Sequence, residues 1–545
     1  MLERDCEKQT QPPPDQPSDS CNSNDGTQRG TVAADRLARK LSPRQVQMIA
    51  IGGTIGTALF LGTGNALAKG GPASMLIAYA VCGGIVFITM LSLGEMVAFM
   101  PIAGSFCTYS GRFVDESLGF ALTWNYWAND AVSVASDIIA LQILVEYWTD
   151  AFPGWASSLI CLAFVLGLNF CSVKVYGETE YWLSLLKVVT IVAFIIVGIV
   201  VNCGANTQHT YFGDRYFYVG DAPFVGGIKG FASVFVTASF AYGGTENVAI
   251  TAGETKNAAR TYPSIIRNVF WRIILFFIVS VALIGLDVPY TFPGLSSKTS
   301  ATSPFTIVFQ EAGSAVAGSF INAVVITSAI SAANHALFAG SRLMYTLAID
   351  GYAPCQLSRL NRFQIPWLAV LATAVISALC FGASKIGAGQ VWTWLQNMVG
   401  VSNQIAWACI CFTSLRFRAA IRRQNLDHLL PFKNFTYPVG PAFAVVLNIL
   451  LVLIQGWSCF SPDFDAVKFA SYYVEVAIMI VMVIGWKVYK RTKLVPLDEM
   501  DLLTDQYDHA KTGIIAETDE QENSPFSMST ILEGRLLKQA VDWLF

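Results

Sequence analysis

Five ionisable residues stand inside stretches otherwise apolar enough for a bilayer: Asp130, Asp137, Lys187, Glu246 and His335. A charged side chain at the bilayer centre costs about 2.5–3.5 kcal/mol on insertion scales, so each is expected to have a partner or a task. Asp130 and Asp137 are seven apart and share one helix face, with Ser133 between them. Two carboxylates on one apolar stripe do not both stay ionised without cations nearby. They offer a proton site or an attraction for a cationic substrate; the plainer reading of Asp130 is that it caps polar neighbours beside a wet vestibule. Lys187, in WLSLLKVVTIVAFIIVGI, either snorkels to an interface or is a buried amine that cycles a proton where a cation-driven carrier holds sodium. His335, in SAANHALFAGSR, is either a hydrogen-bonded helix contact or a substrate or proton group. The sequence has no Walker loop, G-x-S-x-G or HExxH, which argues against ATP-driven pumping. No enzyme site, cofactor motif or metal-ligand spacing emerges.

Two glycine-broken segments are placed to position these groups. Ile49–Gly64 reads IAIGGTIGTALFLGTG, with five glycines and three threonines. Ala238–Ala252 reads ASFAYGGTENVAITA, with Gly243-Gly244 at its centre. A membrane tolerates a broken backbone only where it lines a cavity or is buried in protein. Paired interrupted segments in matching positions of two halves point to a transporter's substrate site. Ile55-Gly56-Thr57-Ala58 would present backbone N–H groups and the positive end of a half-helix to a carboxylate. Phe240, Ala241, Tyr242 and Gly243 would offer carbonyls to an ammonium group and aromatic walls. Close packing through Gly52 and Gly56, as GxxxG, is the plainer alternative for the first break.

The elements around them follow from composition. Of 545 residues, 54% are hydrophobic and 13% charged, and mean hydropathy is +0.49. Soluble domains carry about 25% charged residues, so the chain reads as an all-α integral membrane protein. About twelve spans are expected, near 46–66, 73–100, 118–148, 155–173, 180–202, 229–252, 266–287, 313–345, 366–383, 391–415, 438–459 and 467–489. With breaks in the first and sixth, they suggest two five-span halves in inverted orientation plus two appended helices. Lys and Arg concentrate before the first span, in alternate connections such as Arg416–Lys433, and after Lys487, which puts both termini in the cytoplasm. That topology leaves the sequon Asn434-Phe-Thr unused. Residues 1–40, polar and proline-rich, read as a disordered tail, 41–492 as the transporter domain, and 493–545 as a second cytoplasmic tail. The twelve scattered cysteines read as small buried apolar residues. A net charge of −3 says nothing about nucleic acid, and no basic aromatic-rich segment supports it as a partner.

The stretches MIAIGGTIGTALFLGTGNALAKGGPAS, SLGEMVAFMPIAGSFCTYSGRFVDESLGFALTWNYW, GETEYWLSLLKVVTIVAFI, FAYGGTENVAITAGETKNAARTYPSIIRNVFWRI, SAANHALFAGSR and LVPLDEMDLLTD resemble those of fungal amino-acid permeases. These belong to the yeast amino acid transporter family, within the amino acid–polyamine–organocation superfamily. The match runs in order over about residues 40–510. It implies a LeuT-type fold, proton-coupled uptake of L-amino acids, and the plasma membrane. By position, Gly56–Ala58 with Ile55 would hold the substrate carboxylate, and Phe240–Gly243 its ammonium and side chain. Asp137, Asn334 and His335 would face the site, while Lys187, with Asp137 and Glu246, would carry protons. Three residues depart from the family pattern: Ala58 replaces a glycine, Asp130 an aromatic or apolar residue, and His335 a small or hydroxyl residue. A non-transporting amino-acid sensor and a permease for polyamines or other organic cations are the alternatives. Partners implied are the amino acid, protons, the lipid bilayer, and ubiquitin-ligase machinery acting on tail residues such as Lys8 and Lys40.

Overall fold

The computed structural model describes residues 42–504, except 53, 54, 103, 150, 251–257, 296–301, 314, 383–385 and 461–463. The tails beyond, including Lys8 and Lys40, lie outside the described residues. Every regular element among the described residues is helical, as a bilayer demands of a chain that must satisfy its own backbone.

Among the described residues, eight helices are long and apolar enough to cross a membrane. Two more, Gly154–Phe170 and Trp367–Gly382, are shorter but apolar. In chain order the helices are α1 (Pro43–Gly52), α2 (Thr57–Phe60), α3 (Gly62–Phe99), α4 (Phe106–Phe113), α5 (Glu116–Val145), α6 (Gly154–Phe170), α7 (Val173–Asn202), α8 (Gly227–Tyr242) and α9 (Asn247–Ile250). Then come α10 (Ala258–Arg272), a π-helical turn at Ile273–Ile278, α11 (Val279–Asp287), α12 (Pro304–Glu311) and α13 (Ala315–Ile349). Last are α14 (Trp367–Ile376), α15 (Ala388–Arg423), α16 (Val439–Ile454) and α17 (Ala466–Lys490).

The boundary expected between 66 and 73 is a hinge rather than a loop. Gly71 sits at φ 80° and ψ 173° directly before Pro72, so the chain turns within α3 without leaving a gap. A side chain cannot follow there: a Cβ on Gly71 would meet the Pro223 carbonyl at 2.6 Å. Helix α10 begins eight residues earlier than the span expected from 266, and α15 runs on to Arg423 rather than ending at 415.

Helix α5 is the axis of the bundle. It packs against α4, α6, α13, α14, α15 and α17. Its apolar window is 83% buried, against 22% for the peripheral α17. The outer faces of α6, α7, α16 and α17 expose large apolar residues such as Ile160, Trp182, Val446 and Val481, the surface a lipid-facing helix presents.

At one end of the bundle the chain closes on itself with charge. Asp115 caps α5 by accepting from the Ser117 N–H at 2.9 Å. It also accepts from Lys487 Nζ at 2.5 Å and Thr492 Oγ1 at 2.7 Å. Burial alone would raise its carboxyl, but these donors outweigh it and hold Asp115 at about 2. Beyond α17, residues 493–504 are docked rather than loose. Arg112 binds Asp501 at 2.7 Å, Val495 N–H donates to the Val114 carbonyl at 2.9 Å, and Met500 and Leu502 are buried. Asn434 of the sequon is also buried, and its amide nitrogen donates to Ser92 Oγ at 3.2 Å.

Candidate functional site

Both glycine-broken stretches interrupt helices, and the interruptions meet. Helix α1 ends at Gly52, Ile55 is non-helical, and Gly56 is extended (φ −133°, ψ −158°) before α2 starts at Thr57. The first N–H groups of α2, those of Thr57 and Ala58, therefore have no acceptor within the helix. Space forces glycine at 56, where a Cβ would lie 2.9 Å from the Ala332 Cβ. The second break begins where α8 ends at Tyr242. Gly243 N–H folds back onto the Ser239 and Phe240 carbonyls at 3.1 and 3.2 Å, and the Thr245 hydroxyl takes the Tyr242 carbonyl at 2.7 Å. The Ala241 carbonyl is left out of these bonds. Gly244 at φ +81° supplies the left-handed residue that the turn requires.

Between the breaks lies a cavity of about 60 Å³, several times the space one water needs. The first break contributes Gly56, Thr57 and Ala58, and the second Phe240, Gly243, Gly244 and Asn247. Helix α5 adds Asn129, Asp130, Ser133 and Asp137; α13 adds Ala332, His335 and Ala336; α15 adds Val399 and Asn403. The donor face is backbone N–H at a helix start. The remaining polar lining is carboxylate, amide, hydroxyl and imidazole, a set whose donors and acceptors suit a small zwitterion.

The carboxylate of Asp137 is tied to the first break, accepting from Thr57 Oγ1 at 2.5 Å. Asp130 Oδ1 is tied to the second, accepting from Asn247 Nδ2 at 3.0 Å. Asn403 bridges α15 to both α5 and α8: its Oδ1 accepts from Asn129 Nδ2 at 2.7 Å, and its Nδ2 donates to the Ser239 carbonyl at 3.2 Å. His335 shares a hydrogen bond of 2.9 Å with Tyr176 Oη through Nδ1.

Other candidates stand behind the cavity. Ile55 is buried, with its carbonyl accepting from Ser328 Oγ at 3.1 Å. Ala241 is buried, and Tyr242 reaches away to donate to the Tyr79 carbonyl at 3.1 Å. Asn334 points to the opposite side of α13 from the cavity, donating to Glu180 Oε1 at 2.6 Å and accepting from Asn169 at 2.9 Å. Glu246 accepts from Tyr126 Oη at 2.7 Å, outside the lining. Near it, Arg272 donates to Thr245 Oγ1 at 3.0 Å and to the Ala50 carbonyl of α1.

Lys187 is fully buried rather than snorkelling. Its ammonium donates to the Gly52 carbonyl at 2.7 Å, at the C-terminal end of α1, and to Ser331 Oγ at 2.9 Å. A cation at that position complements the helix dipole and an orphan carbonyl. Ser331 in turn donates to Glu180 Oε2 at 2.6 Å.

Glu180 is one of the residues that sequence reading missed, with Asn129, Asn247 and Asn403 of the lining. Glu180 lies seven before Lys187, so the two share a helix face, and that spacing could have flagged it. The polar run Gln396, Asn397, Ser402, Asn403 and Gln404 within apolar α15 was a similar signal for Asn403.

Comparison with known proteins agrees with this architecture. The family model described as amino acid permease matches residues 45–498. The chain is 46% identical over 488 residues to a probable amino-acid permease of Schizosaccharomyces pombe, covering 86% of this chain and 96% of that one. It is 40% identical over 475 residues to the lysine-specific permease of Escherichia coli, covering 86% and 97%. It is 37% identical over 472 residues to the histidine permease of Lactococcus lactis, covering 86% and 98%. This chain therefore belongs to the amino acid permease family, whose members are helical membrane transporters of amino acids.

Proposed function

We propose that this permease is a proton-coupled symporter that imports L-amino acids across the plasma membrane, with both termini in the cytoplasm. Twelve crossings account for the helices: α1 with α2 and the start of α3 form the first, the remainder of α3 the second, and α8 with α9 the sixth. The first ten then divide into inverted five-helix halves of LeuT type, and α16 and α17 are appended. The observation that carries this reading is the meeting of two helix interruptions at one cavity. There the Thr57 and Ala58 N–H groups take the substrate carboxylate, and the end of α8 takes its ammonium.

Proton coupling rests on Lys187. Its ammonium holds the Gly52 carbonyl, so the end of α1 is fixed while the amine is protonated. Losing the proton removes one donor and the charge that favours that carbonyl, which releases α1 to move. Asp137, hydrogen-bonded to Thr57 on the far side of the same break, is the proton's other station, and Glu246 serves the second break.

The test is uptake into proteoliposomes. Lys187→Ala is expected to abolish accumulation driven by an inward proton gradient while counterflow of labelled substrate persists. Undiminished gradient-driven accumulation by this variant overturns the coupling assignment. Absence of counterflow in the unaltered protein overturns transport itself and favours a sensor.

A further inference from the structure

Three residues that line the cavity each carry a buried polar atom with no hydrogen-bond partner: Asp130 Oδ2, Asn247 Oδ1 and His335 Nε2. All three residues are at least 97% buried. Asp130 and Asn247 already share one bond, from Asn247 Nδ2 to Asp130 Oδ1, which turns the amide so that its oxygen remains free. This end of the cavity therefore presents acceptor atoms. A buried carboxylate oxygen without a donor is costly, so the arrangement is poised for a donor brought from outside.

Position along α5 says what length of donor fits. Asp137 stands at the Thr57 end and Asp130 seven residues away, a rise of about 10 Å. An extended lysine or arginine covers most of that distance from its carboxylate, whereas alanine or serine stops well short. Gly340 permits the close approach of α13 at this point; a Cβ there would meet the Asp130 Cβ at 3.1 Å.

We propose that Asp130, with Asn247 beside it, is the side-chain subsite that makes this permease select α-amino acids with a long cationic side chain. This rests on the permease reading given above. An ammonium or guanidinium supplies donors to both free oxygens and neutralises the carboxylate. A neutral side chain of equal length leaves that charge buried and unpaired, so the subsite repels as well as attracts. A diamine such as cadaverine reaches Asp130 but leaves the Thr57 and Ala58 N–H groups empty, which separates this class from polyamines.

The experiment is equilibrium binding to the purified full-length protein, with lysine, arginine, norleucine, alanine and cadaverine competing against a labelled amino acid. Lysine and arginine are expected to outcompete norleucine by roughly 10- to 100-fold, the worth of a hydrogen-bonded charge. Asp130→Asn is expected to collapse that ratio towards one. Equal binding of lysine and norleucine by the unaltered protein overturns the subsite, whether or not the variant folds. A preference for lysine that survives Asp130→Asn overturns it also, and cadaverine binding as tightly as lysine overturns the α-amino acid requirement. Should alanine and norleucine bind while lysine does not, the permease reading stands and the subsite alone falls. Should no amino acid bind, both fall.

Discussion

The charge on Lys187 can be tested without measuring transport. Two hydrogen bonds in series, of 2.9 and 2.6 Å, keep its Nζ within about 5.5 Å of Glu180 Oε2. At an effective dielectric constant of about 20, opposite unit charges at that separation attract by about 3 kcal/mol. Both side chains are fully buried, so removing one partner leaves the other as an uncompensated charge. Lys187→Met and Glu180→Gln are each expected to destabilise the protein by about 3–5 kcal/mol. The double variant removes both charges, so it is expected to be about 3 kcal/mol more stable than the sum of the single effects. Reversible unfolding in mixed micelles, followed by loss of helical signal against denaturing detergent, measures all three. Additivity within about 0.5 kcal/mol would refute the reasoning, because it would mean that Lys187 is neutral or that Ser331 insulates the pair.

Two further outcomes follow from the geometry. Gly243→Ala places a Cβ 1.9 Å from Asn403 Nδ2, so it is expected to push Asn403 off the Ser239 carbonyl, cost about 1–3 kcal/mol of stability, and abolish substrate binding; a melting curve and a binding assay check both. The depressed carboxyl of Asp115, at about 2 in the folded protein, contributes stability that is fully present above about pH 4 and lost as pH falls through 2. That contribution is at most about 2 kcal/mol and shrinks with salt, because Lys487 is half exposed. Lys487→Met is expected to flatten the fall in melting temperature between pH 4 and 2.

The breaks were legible in the sequence because glycine clustering inside an apolar run has few physical explanations. Gly56 and Gly243-Gly244 fall at helix interruptions, and Asp130, Asp137 and His335 come to one cavity. Which neighbour of each motif faces inward was not legible. Local sequence lists Asn334 beside His335, but adjacent residues on a helix differ by about 100°, so one lines the cavity while the other turns to Glu180. The direction of Glu246, outside the lining, was not legible for a related reason. A turn of four residues separates α8 from α9, and no periodicity predicts direction through a turn. The Gly71–Pro72 hinge shows the same limit: glycine before proline announces a change of direction, but not that both arms stay helical up to it.

The polar contacts of the broken segments suggest how they are held. Lys187 of α7 fastens the end of α1 through Gly52, and Asp137 of α5 fastens the start of α2 through Thr57. On the other segment, Asp130 of α5 fastens α9 through Asn247, and Tyr126 of α5 fastens the turn through Glu246. Arg272, where α10 ends, joins the two by binding both Ala50 and Thr245. Four of these five ties end on an ionisable side chain of α5, α7 or the turn itself. Apolar packing is nearly insensitive to protonation, whereas each such tie changes strength when a proton or a charged ligand arrives. Ionisable groups pair elsewhere in the bundle too, as buried Arg418 does with Glu95, but these ties are the ones on which a proton or a charged ligand at the two interruptions acts.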